Sequence, residues 1–320
     1  MPDTLEFEEP IAKLLKEIES LELRPATAAR TEELRSLRAR VDAIRTSLYA
    51  ALTPWQRVLV ARHPARPSFE DFVTQIFTGF TELHGDRRFA DDHAIMAGMA
   101  DFHERPVMVV GHVKGKDTKE KIFRNFGYAR PEGYRKALRA MKLAEKFARP
   151  ILVFVDTPAA YPGIESEERG VAEAIAVNLR EMMLLDTPII VCVSGEGGSG
   201  GALGIAVGDR VLMQEFAIYS VIPPEGCAAI LWRDAGKKME AAAALKLTAP
   251  DLLKAAIIDE IIPEPIGGAH TDPDTATAMV DTALSRALSE VSALDSETRL
   301  TLRYEKFRRM GRVGIEFIEG

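Results

Sequence analysis

The sequence predicts an α/β protein of stacked β/α turns with a helical hairpin in front. Three observations predict it. Two segments, RPILVFVDTP (149–158) and TPIIVCVSGE (187–196), each begin with proline after a helical stretch, run through an apolar strand and end in polar residues. Repetition at so short a period is that of a layered spiral. The stretch Gly195 to Gly204, GEGGSGGALG, holds six glycines between an apolar strand and small residues, Ala202 to Val207, that read as a helix. The opening residues carry two apolar stripes at helical spacing: Ile11, Leu14, Leu15, Ile18 and Leu21, then Leu34, Leu37, Val41, Ile44 and Leu48.

The remaining elements follow in order. Arg24-Pro25 separates the two hairpin helices, which bury little alone and must pack on the main body or a partner. From about Pro67 the composition is that of an α/β domain. Val107 to Val113 reads as a strand, and Glu132 to Phe147 as a helix with Tyr134, Leu138, Met141 and Phe147 near one side. The strand Ile151 to Val155 ends at Asp156-Thr-Pro-Ala-Ala-Tyr-Pro-Gly163. A helix is predicted from Glu167 to Leu185, with Ser166 as its cap and Glu167 and Glu168 suited to its dipole. The strand Ile189 to Val193 leads into the glycine stretch. Val211 to Val221 and Ile257 to Ile262 are further strand candidates, and Ala241 to Lys246 and Thr277 to Val291 are helical. The tail from Arg303 to Gly320 is basic, then mixed, and takes no assignment. The expected division is a helical hairpin over 1–55, the main domain over 56–295 and a tail over 296–320.

A hydrophobic content of 47% over 320 residues supports a sizeable core, and a net charge of −7 argues against a general nucleic-acid-binding surface. The two cysteines, Cys192 and Cys227, cannot supply a four-cysteine zinc site, so no metal is expected in this chain. Cys192 lies within an apolar strand and reads as a buried thiol. The acidic start, MPDTLEFEEP, lacks an apolar signal core, and no apolar run is long enough to span a bilayer. The expectation is a soluble, cytoplasmic protein that does not bind membranes. One segment departs from the acidic average. Lys114 to Arg149 holds twelve Lys or Arg against four Asp or Glu, with Lys136, Arg139 and Lys142 at helical spacing. It is either a solvated helix face or a surface for phosphates or an acidic partner.

The glycine stretch carries the candidate chemistry. A tight structural turn needs one or two glycines, and six point to bare backbone approaching a ligand. Gly197-Gly-Ser-Gly-Gly201 matches the G-x-S-x-G nucleophile elbow, which would make Ser199 a nucleophile; His270 is the only histidine downstream to serve it. Gly195-x-Gly-x-x-Gly200 matches the dinucleotide fingerprint with Glu215 twenty residues on, although the helix between them is short. The third reading is an oxyanion hole without a protein nucleophile, in which the N–H groups of Gly200 and Gly201 stabilise an enolate-type oxygen. A Walker A loop is excluded by the missing Gly-Lys-Ser/Thr ending.

The chain closely resembles the α subunit of the carboxyltransferase component of bacterial acetyl-CoA carboxylase. The matching segments are ARHPARP, FADDHAI, RPVMVVGHVKGKDTKEKIFRNFG, PEGYRKALR, DTPAAYPG, EERG, GEGGSGGALG, PEGCAAILW and IIPEPIGGAH, in order from Ala61 to His270. The resemblance implies a crotonase-like spiral of ββα turns. It implies transfer of CO2 from N1 of carboxybiotin, borne on the biotin carboxyl carrier protein, to acetyl-CoA, giving malonyl-CoA for fatty acid biosynthesis. It also implies an α2β2 assembly with a β subunit that carries the zinc ribbon. Within it, Gly200, Gly201 and Ala202 would form the backbone oxyanion hole facing biotin. Gly197, Gly198, Asp156, Ala160, Tyr161 and Gly163 would line the substrate site, and Lys136 and Arg139 would meet CoA phosphates or the β subunit. The rival readings are a serine hydrolase using Ser199 and a scaffold subunit whose chemistry lies in its partner. Two positions depart from the family pattern. Ala159 replaces the usual glycine of DTPGAYPG and would be strained at positive φ; Pro223 replaces the serine of SPEG and removes an N–H.

Overall fold

A computed structural model describes residues 4–311. One sheet of eight strands organises the main body: β1 (Thr78–Glu82), β2 (Ile95–Phe102), β3 (Arg105–His112), β4 (Ile151–Thr157), β5 (Ile189–Gly198), β6 (Arg210–Gln214), β7 (Ile218–Ser220) and β8 (Glu260–Ile262). The order is β1-β2-β3-β4-β5-β6-β8, with β7 on the far end of β5. β1 to β3 are antiparallel, and every pairing from β3 onward is parallel. Because β5 is ten residues long, it pairs with β6 through Ile190–Val193 and then with β7 through Glu196–Gly198.

Parallel strands covered on both faces read as continuous apolar runs, which is why β4 and β5 were legible. Alternate residues feed two cores. Ile151, Val153 and Val155 of β4, with Ile189, Val191 and Val193 of β5, pack against Tyr134, Ala137, Met141 and Ala144 of helix Pro131–Lys146. Leu152, Phe154, Ile190 and Cys192 face Phe69, Phe72 and the stripe Val280, Leu284, Leu288 and Val291 of helix Pro273–Ser292. Burial pushes the Cys192 thiol up to about 12, as expected of an inert core cysteine.

The hairpin forms as helices Glu9–Glu22 and Ala28–Ala50, with Ile11, Leu14, Ile18 and Leu21 packed on Leu34 and Val41. Thr27 caps the second helix by accepting the Arg30 N–H. Tyr49 fastens the hairpin to the body: its hydroxyl donates to Glu8 at 2.7 Å, and its ring lies edge-on to Phe216 at 5.4 Å.

Several predicted boundaries are corrected. The helix expected over 167–185 is two, Ile164–Glu168 and Val171–Leu184, broken by Gly170 at φ +77°. Ser166 is therefore buried inside the first helix and does not cap the second. Phe147 ends its helix 55% exposed and does not join the apolar side. The glycine stretch is not a loop as far as Gly198, because Gly195 to Gly198 continue β5; the helix after it is Ser199–Leu203 rather than Ala202 to Val207. Val211 to Val221 divides into β6 and β7, and the run at Ile257 shortens to β8. The unassigned tail contains most of a helix, Ser296–Arg309; residues 312–320 lie outside the described ones.

Arg303 fastens that last helix. Its guanidinium is buried and donates to both carboxylate oxygens of Asp209 at 2.8 Å and to the carbonyls of Met182, Leu185 and Thr187 at 2.8 to 2.9 Å. All the donors of the fork are used, so its buried charge is compensated. Arg303→Ala leaves the Asp209 charge and three carbonyls without this partner. We expect a loss of about 3–5 kcal/mol in urea unfolding; an unchanged midpoint would show that the helix is not held here.

Candidate functional site

The site lies where the ends of β4 and β5 meet, and the glycines are what allow the meeting. A Cβ on Gly198 would stand 1.7 Å from the Pro158 carbonyl oxygen, and one on Gly201 would stand 2.3 Å from the Ala160 nitrogen and 2.4 Å from the Ala159 carbonyl carbon. Gly195 is pressed against the Asp156 carboxylate, Gly197 against the Tyr219 ring and Gly204 against the Tyr134 ring, at 2.5 to 2.9 Å from the missing Cβ. Gly200 differs: its side-chain face has nothing closer than Ile175 Cδ1 at 3.7 Å. Ser199 and Gly200 are half-buried, whereas Ile189 to Gly198 are buried throughout. Five of the six glycines thus serve close packing within the protein, and Gly200 is the one left uncrowded.

The facing turn is held as firmly. The Thr157 hydroxyl lies 2.6 Å from the Gly127 carbonyl oxygen and 2.9 Å from that of Ala159. Ala160 bridges to Ala129, the Tyr161 N–H donates to the Ala129 carbonyl at 2.9 Å, and the Arg130 guanidinium lies over the Tyr161 ring at 4.9 Å. Gly163 leaves room for the Tyr161 ring, which a Cβ would meet at 2.3 Å. Ala159 does not have a positive φ, so alanine fits there without strain. Pro223 precedes helix Pro224–Leu231 at φ −58°, and its carbonyl accepts the Cys227 N–H, so the proline suits its place.

Beneath the turn runs a chain of charges. Lys114 Nζ lies 2.6 Å from Asp156 and 3.3 Å from Glu196; Arg62 lies 2.6 Å from Glu196 and 2.6 Å from Glu225. Asp156 also accepts the Glu196 N–H at 2.8 Å. Burial alone would raise the Glu196 carboxyl, but Lys114 and Arg62 outweigh it and hold it below its ordinary value. Burial would likewise lower the Lys114 ammonium, and Asp156 and Glu196 reverse that. Asp156 is therefore a brace between β4 and β5, paired with Lys114 rather than free to take up a substrate. Arg62 and Glu196 were not singled out in the sequence, since their partners are far away in the chain.

The basic segment does not form one open cationic surface. Lys136 is fully buried, its ammonium donating to Asp91 at 2.6 Å and to the Asp92 carbonyl at 2.7 Å. Arg139 donates to the carbonyls of Gly85 and His84 at 3.0 Å. Lys116, Arg124, Arg135 and Lys142 pair with Asp71, Glu70, Asp86 and Glu181. Lys136 thus cannot reach CoA phosphates, and Arg139 commits two of its donors to backbone carbonyls. Glu82, His84 and Asp91 have ligand atoms within 4.8 Å of one another, but the Lys136 ammonium already supplies positive charge there.

Two motif readings lose their context. His270 is stacked on His63 at 3.9 Å and lies 3.9 Å from Glu8, in a pocket lined by the N-terminal hairpin. Ser199 has the left-handed backbone (φ +54°) of a sharp turn, but its expected base is engaged elsewhere. The dinucleotide fingerprint needs a glycine loop opening a long helix; here Gly195 and Gly197 belong to β5 and the helix has five residues.

Comparison with known proteins agrees with this architecture. The family described as acetyl co-enzyme A carboxylase carboxyltransferase-like matches residues 4–311. The acetyl-coenzyme A carboxylase carboxyl transferase subunit alpha of Geobacter metallireducens is 58% identical over 309 residues, covering 96% of this chain and 97% of that one. The protein of the same name from Thioalkalivibrio sulfidiphilus is 51% identical over 321 residues, covering 100% and 99%. Among solved structures, a Pseudomonas malonate decarboxylase hetero-tetramer in complex with coenzyme A aligns with TM-score 0.57 and 18% identity, covering 72% of this chain and 90% of that one. Transcarboxylase 12S aligns with TM-score 0.56 and 18% identity, covering 70% and 42%. These likenesses establish the fold as crotonase-like.

The contrast between neighbouring glycines is testable. Gly200→Ala adds a Cβ at ordinary van der Waals distance and should melt as the wild type does. Gly201→Ala drives a Cβ into the Ala159–Ala160 peptide and should cost at least about 1–3 kcal/mol, the range for overpacking. Thermal unfolding of both variants decides; equal melting would contradict the close contact.

Proposed function

The chain belongs to the acetyl-CoA carboxylase carboxyltransferase α-subunit family, and from that premise we propose that the meeting of β4 and β5 is the half of the active site that handles carboxybiotin. The protein is a subunit of a biotin-dependent transferase that converts acetyl-CoA to malonyl-CoA, the entry to fatty acid biosynthesis. The observation that supports the placement is the contact of Gly198 and Gly201 with Pro158 to Ala160, which sets bare backbone from two strand ends side by side.

The residues present fit such a ligand. Gly200 is half-buried and uncrowded, so a flat ring can approach the backbone at Ser199 and Gly200. When bound, carboxybiotin supplies the carboxyl group for transfer and a ureido oxygen on which negative charge grows. The N–H groups of Gly200, Gly201 and Ala202 donate to that oxygen, and because the surrounding contacts fix them, they need no reorganisation as the charge develops. Gly197 and Gly198 hold this backbone in place. Ala160, Tyr161 and Gly163 form the neighbouring wall, with Tyr161 fixed by Arg130. Asp156 acts through Lys114 and the Glu196 N–H, keeping the two strand ends in register.

The partners follow from the same reading. A β subunit bearing a zinc ribbon completes the site in an α2β2 assembly, and the biotin carboxyl carrier protein delivers the carboxyl group. The hairpin, 1–55, is an assembly element on the carboxyltransferase body. The body, placed at 56–295, extends to include Ser296–Arg309, because Arg303 ties that helix in. Among the described residues no helix is long and apolar enough to cross a membrane. Two buried thiols accord with a reducing cytoplasm.

Alone, the chain should show no transcarboxylation; co-purified with its β subunit, it should form malonyl-CoA from acetyl-CoA and carboxybiotin. Ser199→Ala keeps the backbone donors and should retain turnover to within about tenfold, whereas loss of a nucleophile would cost orders of magnitude. Substantial turnover by the isolated chain, or labelling of Ser199 by a fluorophosphonate with ester hydrolysis, would overturn the proposal.

A further inference from the structure

Helix Val171–Leu184 meets the short helix Ser199–Leu203 at both of its ends. At the start, Ile175 Cδ1 is the nearest atom to the place a Cβ would take on Gly200. One turn further on, Asn178 is fully buried, and its side-chain nitrogen donates to the carbonyls of Gly204 and Tyr134, both at 2.9 Å. Gly204 directly follows the short helix, and the last carbonyls of a helix have no partner within it. Asn178 supplies that partner. Its Oδ1 is buried without a hydrogen bond among the described residues. Turning the amide over would set that oxygen against two carbonyl oxygens, so the two donations fix its orientation.

We infer that Asn178 is a positioning residue for the backbone donors: it pins the Gly204 carbonyl and, through it, the orientation of the Gly200–Gly201 peptide. The inference rests on the reading that Gly200, Gly201 and Ala202 donate to the ligand oxygen. The connection is a run of hydrogen bonds. Asn178 holds the Gly204 carbonyl, and the Gly204 N–H donates to the Gly200 carbonyl at 2.9 Å. That carbonyl shares one planar peptide with the Gly201 N–H, so fixing the first aims the second. The helix has five residues, far below the roughly 12–15 at which isolated helices become even marginal in water, so outside contacts must keep it wound. The anchor is firm. Tyr134, the other residue that Asn178 holds, is fully buried, and its ring is pressed against Gly204.

The test uses the complex with the β subunit and three variants. Asn178→Leu and Asn178→Ala both remove the donors but differ in how well they fill the site. Met182→Ala takes packing from the same helix without touching the Gly204 carbonyl. For each, kcat, KM for acetyl-CoA, thermal midpoint and amide hydrogen exchange of residues 199–206 are measured. Both Asn178 variants should lose kcat about tenfold or more with KM unchanged, and to the same extent although their midpoints differ. Exchange over 199–206 should quicken in both. Met182→Ala should lower the midpoint while keeping kcat within about threefold and exchange over 199–206 as in the wild type. Normal kcat in either Asn178 variant, or unchanged exchange over 199–206, would overturn the inference. So would kcat losses that track the midpoints across all three variants, since that is a packing role. An inactive wild-type complex would overturn the underlying reading, and this inference with it, whereas an active wild type beside unimpaired Asn178 variants overturns the inference alone.

Discussion

The contact of Gly198 and Gly201 with the backbone from Pro158 to Ala160 is the constraint on which the site depends. Two main chains approach so closely that no side chain fits between them on the β5 side. Close approach of this kind is stable only where both segments are otherwise satisfied. Thr157 and the Ala129–Ala160 bridge hold the β4 turn, and pairing with β7 holds the end of β5. The length of β5 matters for the same reason. By outrunning β6 it carries Glu196 to Gly198 past the end of that strand, where they pair with β7, and places the helix that starts at Ser199 against the β4 turn.

Electrostatics reinforces the geometry without offering a titrating group to the ligand. Lys114, Asp156, Glu196, Arg62 and Glu225 form an alternating chain under the turn, and the pairing holds Glu196 ionised although burial opposes it. Arg303 with Asp209 and Lys136 with Asp91 repeat the pattern elsewhere: a buried cation saturated by a carboxylate and by backbone carbonyls. Removing one member of such a set leaves an uncompensated charge, so each is a point at which the fold is locked. On the proposed reading the site would offer the ligand neutral backbone polarity, suited to an oxygen whose charge grows during reaction rather than to a group that must accept a proton.

Much of this was legible in the sequence, and the failures have physical causes. β4 and β5 could be read because strands buried on both faces are apolar without interruption. The hairpin could be read because its stripes keep helical spacing. The glycine cluster rightly announced a close approach of bare backbone, but a local sequence does not say what approaches, and for five of the six glycines it is the protein itself. The basic segment misled for a related reason: most of the acids that neutralise it lie outside it in the chain, Glu70, Asp71, Asp86 and Asp91 before it and Asp156, Glu181 and Glu196 after it, and arrive only through the tertiary fold. Gly170 carried a readable signal, since a glycine after Glu-Glu-Arg is a common way to end a helix in the left-handed region, yet the apolar periodicity beyond it suggested one continuous helix.

The most direct measurement is a crystal structure of the complex with the β subunit, grown with biotin and acetyl-CoA. If the account is right, the biotin ureido oxygen will lie about 2.7–3.2 Å from backbone nitrogens within Gly200 to Ala202, with the β4 turn as the adjacent wall. A biotin ring bound wholly by the partner subunit, or held here by side chains with those N–H groups turned away, would contradict it.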